Sequence, residues 1–377
     1  MGPSNQLSAE PSGRCLRAVR FFTGDMRRCG QWVLIIQLLD GVLRGTAQVM
    51  FVSNPVSGLL ILTGLFLQNP WWALNSLLGA LVSTVSALKA IFAGLHGYNG
   101  TLVGMLMAAF SSKGNWYWWL LFPNKCCKIK FSSALSSIMS KWDLPIFTLP
   151  FNILTCLHIA ATGTAHPYFP EVKIQPKVHL QHSDSLANLS IPQLFLSVPV
   201  GVGQVFGCDS PWTACLVLLA LLLCSPAVCL HALLGSAAGS LKFGAGLALA
   251  APHEDVYSGL WGYNSALSCI AIGGVFYGLT WQTHILPHLQ VSLRQCVMLS
   301  HFCTVPYQLA LPACTWPFCL STLTFLLLSS ENPAICRPPL SAVSYPEENR
   351  HYLRQLKMSE NALSSCKGEQ TPEKMEG

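Results

Sequence analysis

Three polar residue types sit in short motifs that this chain writes twice. Gln48 opens Gln48-Val-Met-Phe-Val-Ser-Asn-Pro55, and Gln204 opens Gln204-Val-Phe-Gly-Cys-Asp-Ser-Pro211. Asn99 closes Gly94-Leu-His-Gly-Tyr-Asn99, and Asn264 closes Gly259-Leu-Trp-Gly-Tyr-Asn264. Thr148 lies in Leu144-Pro-Ile-Phe-Thr-Leu-Pro-Phe151 and Thr315 in Leu311-Pro-Ala-Cys-Thr-Trp-Pro-Phe318, both of the form L-P-x-x-T-x-P-F. These amides and hydroxyls exchange hydrogen bonds but are not ionisable. Carriers coupled to protons or sodium usually place Asp, Glu or His at depth, and no charged residue recurs in both halves. No nucleophile–base pair or metal set stands beside the motifs, so an enzyme is not expected, nor a cofactor. The apolar residues flanking them (Phe51, Phe151, Phe206, Phe318, Leu102, Leu267) are candidates for narrow walls. A thin apolar slot lined with carbonyl, amide and hydroxyl oxygens suits a small neutral solute rich in N–H donors. Such a solute gives up water only where acceptors replace it.

The motifs recur in one order and at similar offsets: 204 and 48 differ by 156, 262 and 97 by 165, 315 and 148 by 167. Three matches in order are a duplication. In an apolar chain, duplicated Pro-interrupted segments mark a transporter whose path lies between two repeats. Pro145, Pro150, Pro312 and Pro317 each remove a backbone donor. The carbonyls so freed are tolerated at membrane depth only where protein or a polar path meets them. Asn54-Pro55 and Ser210-Pro211 are read as starts of new helical pieces. Ordinary kinks in packing helices are the competing reading.

Composition sets the class. Of 377 residues 51% are hydrophobic and only 10% charged, against about 25% charged in ordinary soluble domains. Segments 1–44 and 331–377 hold 22 of the 38 charged residues, leaving 16 for the 286 between them. That middle reads as membrane spans of about 20 apolar residues each. No cleavable leader is expected, because the first 30 residues are Arg-rich without an apolar core. Net charge is +6, but the basic residues sit in the tails, which argues against a nucleic-acid partner. Sixteen cysteines without a C-x-x-C pair read as small hydrophobes; Cys319 is among them.

The division expected is a tail over 1–30, a membrane repeat over 31–163, a loop over 164–191, a second repeat over 192–330 and a tail over 331–377. Basic residues in both tails place them in the cytoplasm and make the span count even. Five spans per repeat, the second inverted, give about ten. The fold class is therefore an all-α membrane protein of two inverted five-helix repeats with re-entrant half-helices. The loop 164–191 then faces outward, and Asn188-Leu-Ser190 within it is a glycosylation acceptor. The C-terminal tail is expected to be disordered after about Lys357.

Over nearly its whole length the chain resembles the urea transporter family of vertebrates. The stretches that carry the likeness include Val42-Leu-Arg-Gly-Thr-Ala-Gln-Val-Met-Phe51, Gln68-Asn-Pro-Trp-Trp-Ala73, Ser140-Lys-Trp-Asp-Leu-Pro145, Pro199-Val-Gly-Val-Gly-Gln-Val205, Thr280-Trp-Gln-Thr-His284 and Ser344-Tyr-Pro-Glu-Glu-Asn-Arg350. The resemblance implies a ten-span inverted-repeat fold in the plasma membrane, homotrimeric, with one pore per subunit. It also implies passive, channel-like urea flux through a three-part filter. Gln48 and Gln204 match the amides of its two end sites, and Thr148 and Thr315 the hydroxyls at its centre. Leu102 and Leu267 are placed as slot walls by repeat symmetry.

The chain departs from the family in three stretches. It is shorter between Ala87 and Gly94. It reads Asn124-Lys-Cys-Cys-Lys-Ile-Lys130 and Leu286-Pro-His-Leu-Gln-Val-Ser-Leu-Arg-Gln295 where the family has apolar spans. Lysine or arginine at membrane depth costs about 2.5–3.5 kcal/mol each on insertion scales. Either those helices start later, or the lysines reach the interface, or folding suffers. Two alternatives to a urea channel stay open: a pore for water, ammonia or urea analogues, and a non-conducting subunit that assembles with intact relatives.

Overall fold

A computed structural model describes residues 32–86, 97–111, 131–162, 190–245, 256–284, 312–327 and 335–368, and every regular element among them is helical. The first half holds α1 (Trp32–Ala47), α2 (Pro55–Gln68), α3 (Pro70–Ser86), α4 (Gly97–Ala109), a helix over 131–139 and α5 (Leu149–Thr162). The second holds α6 (Ile191–Gly203), α7 (Pro211–Cys224), α8 (Pro226–Ala245), α9 (Tyr263–Ile270), which runs on as a π-helical turn through Val275, and α10 (Trp316–Leu327). Helix α11 (Pro346–Gly368) ends the described chain.

The glutamine motifs are corners. After α1 the chain tightens into a 3-10 turn over Gln48–Met50 and stops at Phe51, whose φ of 62° is left-handed. Asn54 then accepts a hydrogen bond from Val56 N, and Pro55 supplies the preset φ of a first helical residue. The same events follow α6: a 3-10 turn over Gln204–Phe206, Gly207 at φ 64°, then Ser210 and Pro211. Glycine adopts that φ freely, whereas Phe51 holds it at a cost of about 1–3 kcal/mol that its packing must offset. The two corners bend their helix pairs by 76° and 77°. No single described helix is long and apolar enough to cross a membrane, but each bent pair is by length and composition.

The prolines of both corners, and Pro70 and Pro226 one step further on, begin helices rather than kink them. Among the described residues, Pro199 alone lies in a helix interior, that of α6. Close packing follows from small residues: a side chain added at Gly58 of α2 would lie 2.0 Å from the Leu43 carbonyl oxygen of α1. Outside the buried core, Leu59, Leu67, Phe195, Trp212 and Leu222 face outward. An apolar exterior of that extent is suited to lipid.

The C-terminal segment is not a loose tail. Glu347 accepts hydrogen bonds from Ser225 Oγ at 2.8 Å and Ala227 N at 3.2 Å, capping the start of α8. Asn349 Nδ2 donates to the carbonyls of Gly274 and Val275 in the π-turn, at 3.1 and 2.7 Å. Tyr345 accepts from Ser53 N at 2.8 Å. The disorder expected after about Lys357 is corrected, since α11 continues to Gly368. Its acidic first turn (Glu347, Glu348) and its Leu, Lys, Met and Ala content favour a helix. The three departures from the family pattern, in 87–94, 124–130 and 286–295, and Asn188 lie outside the described residues.

Candidate functional site

Thr148 and Thr315 each stand immediately before a helix, α5 and α10, and their carbonyls accept the first helical bonds, from Asn152 N and Cys319 N at 3.0 Å. The second proline of each motif is the second residue of its helix, where a missing N–H leaves nothing unpaired. The residue before each threonine is left-handed, Phe147 at φ 46° and Cys314 at φ 42°. That turn is held from the neighbouring helix in matching ways. Tyr98 of α4 donates to the Phe147 carbonyl at 2.7 Å, and Tyr263 of α9 to the Cys314 carbonyl at 2.6 Å. Asn99 Nδ2 and Asn264 Nδ2 reach the same two carbonyls at 3.3 and 3.2 Å. The asparagines expected beside a path thus hold the turns that present the threonines.

The two turns bring the threonines together. Their hydroxyl oxygens are 2.6 Å apart and buried, across a separation of 167 residues. Asn152 Oδ1 accepts from both Thr315 N (3.1 Å) and Thr315 Oγ1 (2.9 Å). Cys319 Sγ lies 3.1 Å from Thr148 Oγ1 and 3.5 Å from Asn152 Nδ2. Cys319 is therefore part of the polar centre rather than the small hydrophobe its surroundings suggested.

Gln48 and Gln204 open the two corner turns, and both are half-buried. Gln204 donates its amide hydrogen to the Ser258 carbonyl at 2.8 Å, which fixes the direction of its side chain. Phe51 of the Gln48 corner, Phe147 next to Thr148 and Phe318 three residues after Thr315 belong, with Phe276, to a group of four rings. Phe51, Phe147, Phe276 and Phe318 meet edge to face with centroids 5.0–6.1 Å apart, a favoured aromatic geometry. Phe147 and Phe276 are members of this group that the sequence did not single out, and Phe151 and Phe206 are buried in the same core cluster. Each half supplies two of the rings, but the group is not symmetric: Gly207 stands where Phe51 does in the first repeat, and Cys314 where Phe147 does.

Leu102 and Leu267 are fully buried on α4 and α9. Each lies four residues beyond the tyrosine that holds the opposing turn, hence on the same helix face. Tyr98 and Tyr263 were legible as members of a repeated motif. Asn152 and Cys319 were not, because they stand one residue past it and differ from each other. Phe276 lies outside the repeated motifs.

Against known proteins, the model of the family described as "Urea transporter" matches residues 39–330. A protein of Rattus norvegicus named "Urea transporter 1" is 50% identical over 374 residues, covering 94% of this chain and 95% of the relative. Proteins of the same name from Ovis aries and Mus musculus are 51% identical over 359 residues (91% and 92%) and 50% identical over 371 residues (94% and 94%).

Proposed function

Because the chain belongs to the urea transporter family and is an all-α integral membrane protein, we propose that it passes urea across the plasma membrane, down its gradient and without coupling. Gln48 and Gln204 form the two end sites, each offering a carbonyl acceptor to urea N–H and an amide donor to its oxygen. Thr148 and Thr315 form the centre. Leu102, Leu267 and the ring group of Phe51, Phe147, Phe276 and Phe318 are the apolar walls that hold a planar solute between the sites. Two inverted five-helix repeats over 31–163 and 192–330 carry the path through ten spans. Both tails are cytoplasmic, the loop 164–191 with Asn188 is external, and three subunits assemble with one pore each.

The observation that carries this reading is the meeting of Thr148 and Thr315 at 2.6 Å in the core. Two buried hydroxyls from duplicated turns are hydrogen-bonding chemistry for a neutral solute, since among the described residues they bond each other, Asn152 and Cys319, none of them a carboxylate, imidazole or ammonium.

Radiolabelled urea uptake into oocytes, with surface protein quantified in parallel, tests it. The expected result is flux linear in the urea gradient and indifferent to sodium, membrane voltage and pH near neutrality. Accumulation above the external level would rule out the passive reading. Full surface expression without urea flux would instead favour the non-conducting subunit, which the lysines at 125, 128 and 130 make a specific alternative.

A further inference from the structure

We infer that Asn152 and Cys319 join Thr148 and Thr315 in a one-way hydrogen-bond ring that turns both hydroxyl hydrogens away from a passing solute, making Asn152 and Cys319 the positioning residues of the centre. The inference rests on the reading of the threonines as the centre of a solute path.

The direction of the ring follows from one contact. The backbone N–H of Thr315 is a donor, so the Asn152 atom 3.1 Å from it is the acceptor oxygen and not the amide nitrogen. That same oxygen is 2.9 Å from Thr315 Oγ1 and takes the hydroxyl hydrogen of Thr315. With its hydrogen spent, Thr315 is the acceptor in the 2.6 Å contact, and Thr148 donates to it. Thr148, its own hydrogen now spent, accepts from the Cys319 thiol at 3.1 Å. The thiol sulfur in turn accepts from Asn152 Nδ2 at 3.5 Å, which closes the circuit. Each member donates once to the next, an arrangement in which hydrogen bonds polarise and strengthen one another. Asn152 and Cys319 have no exposed surface, so water does not compete for these groups.

The chemical consequence is one-sided. A hydroxyl oxygen has two lone pairs and one hydrogen. Each threonine has used its hydrogen and one lone pair within the ring, and one lone pair remains on each. The centre is an acceptor pair and selects its solute by N–H groups. The repeat does not impose this, since 152 and 319 differ by 167 and are equivalent positions occupied by different residues. The choice of Asn on one side and Cys on the other sets the sense of the ring.

The test compares urea with acetamide, in which one amino group is replaced by a methyl of similar size, in oocytes at matched surface level. Asn152→Leu and Asn152→Cys free the Thr315 hydroxyl to donate. The urea-to-acetamide permeability ratio is expected to fall about two- to tenfold, the discrimination of one hydrogen bond. The exchange Asn152→Cys with Cys319→Asn re-forms the ring in the opposite sense and should restore the ratio, which a merely space-filling role would not require. An unchanged ratio in Asn152→Leu that still conducts urea overturns the inference. If the parent conducts no urea, the functional reading fails by itself, and infrared spectroscopy of the protein in nanodiscs decides about the ring. The S–H stretch of Cys319, isolated by subtracting the spectrum of Cys319→Ala, should lie at a hydrogen-bonded frequency and move to that of a free thiol in Thr148→Val. A band that Thr148→Val leaves in place overturns the ring.

Discussion

Ser57 and Thr213 perform the same act on opposite helices. Ser57 Oγ of α2 donates to the Ala220 carbonyl of α7 at 2.6 Å, and Thr213 Oγ1 of α7 donates to the Gly64 carbonyl of α2 at 3.1 Å. The donors differ by 156 in number, as do the acceptors, so the two bonds are one contact written twice across an antiparallel helix pair. Both hydroxyls are fully buried. Interhelical hydrogen bonds in membrane proteins are worth about 0.6 kcal/mol on average and up to about 1.7 kcal/mol. Ser57→Ala and Thr213→Val are each expected to lower the thermal midpoint of the purified protein by comparable amounts. A loss confined to one of them would show that the two contacts are not equivalent.

If Gln48 and Gln204 are the end sites proposed above, Gln204→Leu and Gln48→Leu should slow urea flux at unchanged surface level. The effect at Gln204 is the cleaner one to read, because its amide is already aimed by the Ser258 carbonyl. A Gln204→Leu protein that transports like the parent would remove the glutamines from the path.

The turn leading into Thr148 is anchored from the C-terminal segment. Arg337 donates to the Leu326 carbonyl at 2.9 Å and to the backbone carbonyl of Asp143, and approaches the Asp143 carboxylate at 3.4 Å. That carboxylate also accepts from Leu340 N at 3.0 Å. Asp143 itself is left-handed, at φ 53°. The ion pair is too exposed to contribute much alone, about 0–1 kcal/mol, but the forked guanidinium satisfies two carbonyls as well. Arg337→Ala is expected to lower both thermal stability and urea flux, and Arg337→Lys to recover little, because an ammonium lacks the fork. Parent-like stability in Arg337→Ala would mean that the segment from 335 to 345 does not support the turn.

Lys125, Lys128 and Lys130 lie outside the described residues, and the expectation about them comes from composition. Changing them to Ile, Met and Leu should raise surface level and urea flux together, since each basic group at membrane depth costs about 2.5–3.5 kcal/mol. Surface biotinylation alongside uptake measures both. A parent already fully at the surface, with no gain on substitution, would place the lysines harmlessly at the interface.

The sequence by itself determined the helical membrane class, the duplication and the identity of the paired glutamines and threonines. These follow from composition and local chemistry: apolar runs must bury or meet lipid, and Pro after Asn or Ser starts a helix wherever it stands. Repetition also separated Tyr98-Asn99 and Tyr263-Asn264 from the apolar background. Only the tertiary structure decided that Thr148 and Thr315 touch, that Asn152 and Cys319 complete their hydrogen bonds, and that Phe147 and Phe276 join Phe51 and Phe318. Contacts across 167 residues depend on how α4 and α9 hold the turns at Phe147 and Cys314, and nothing local to either residue encodes that. The same holds for the tail. The sequence after Lys357 is polar enough to read as disordered, yet α11 runs on to Gly368, and its start is tied down by contacts of Tyr345, Glu347 and Asn349 with Ser53, Ser225 and the π-turn carbonyls.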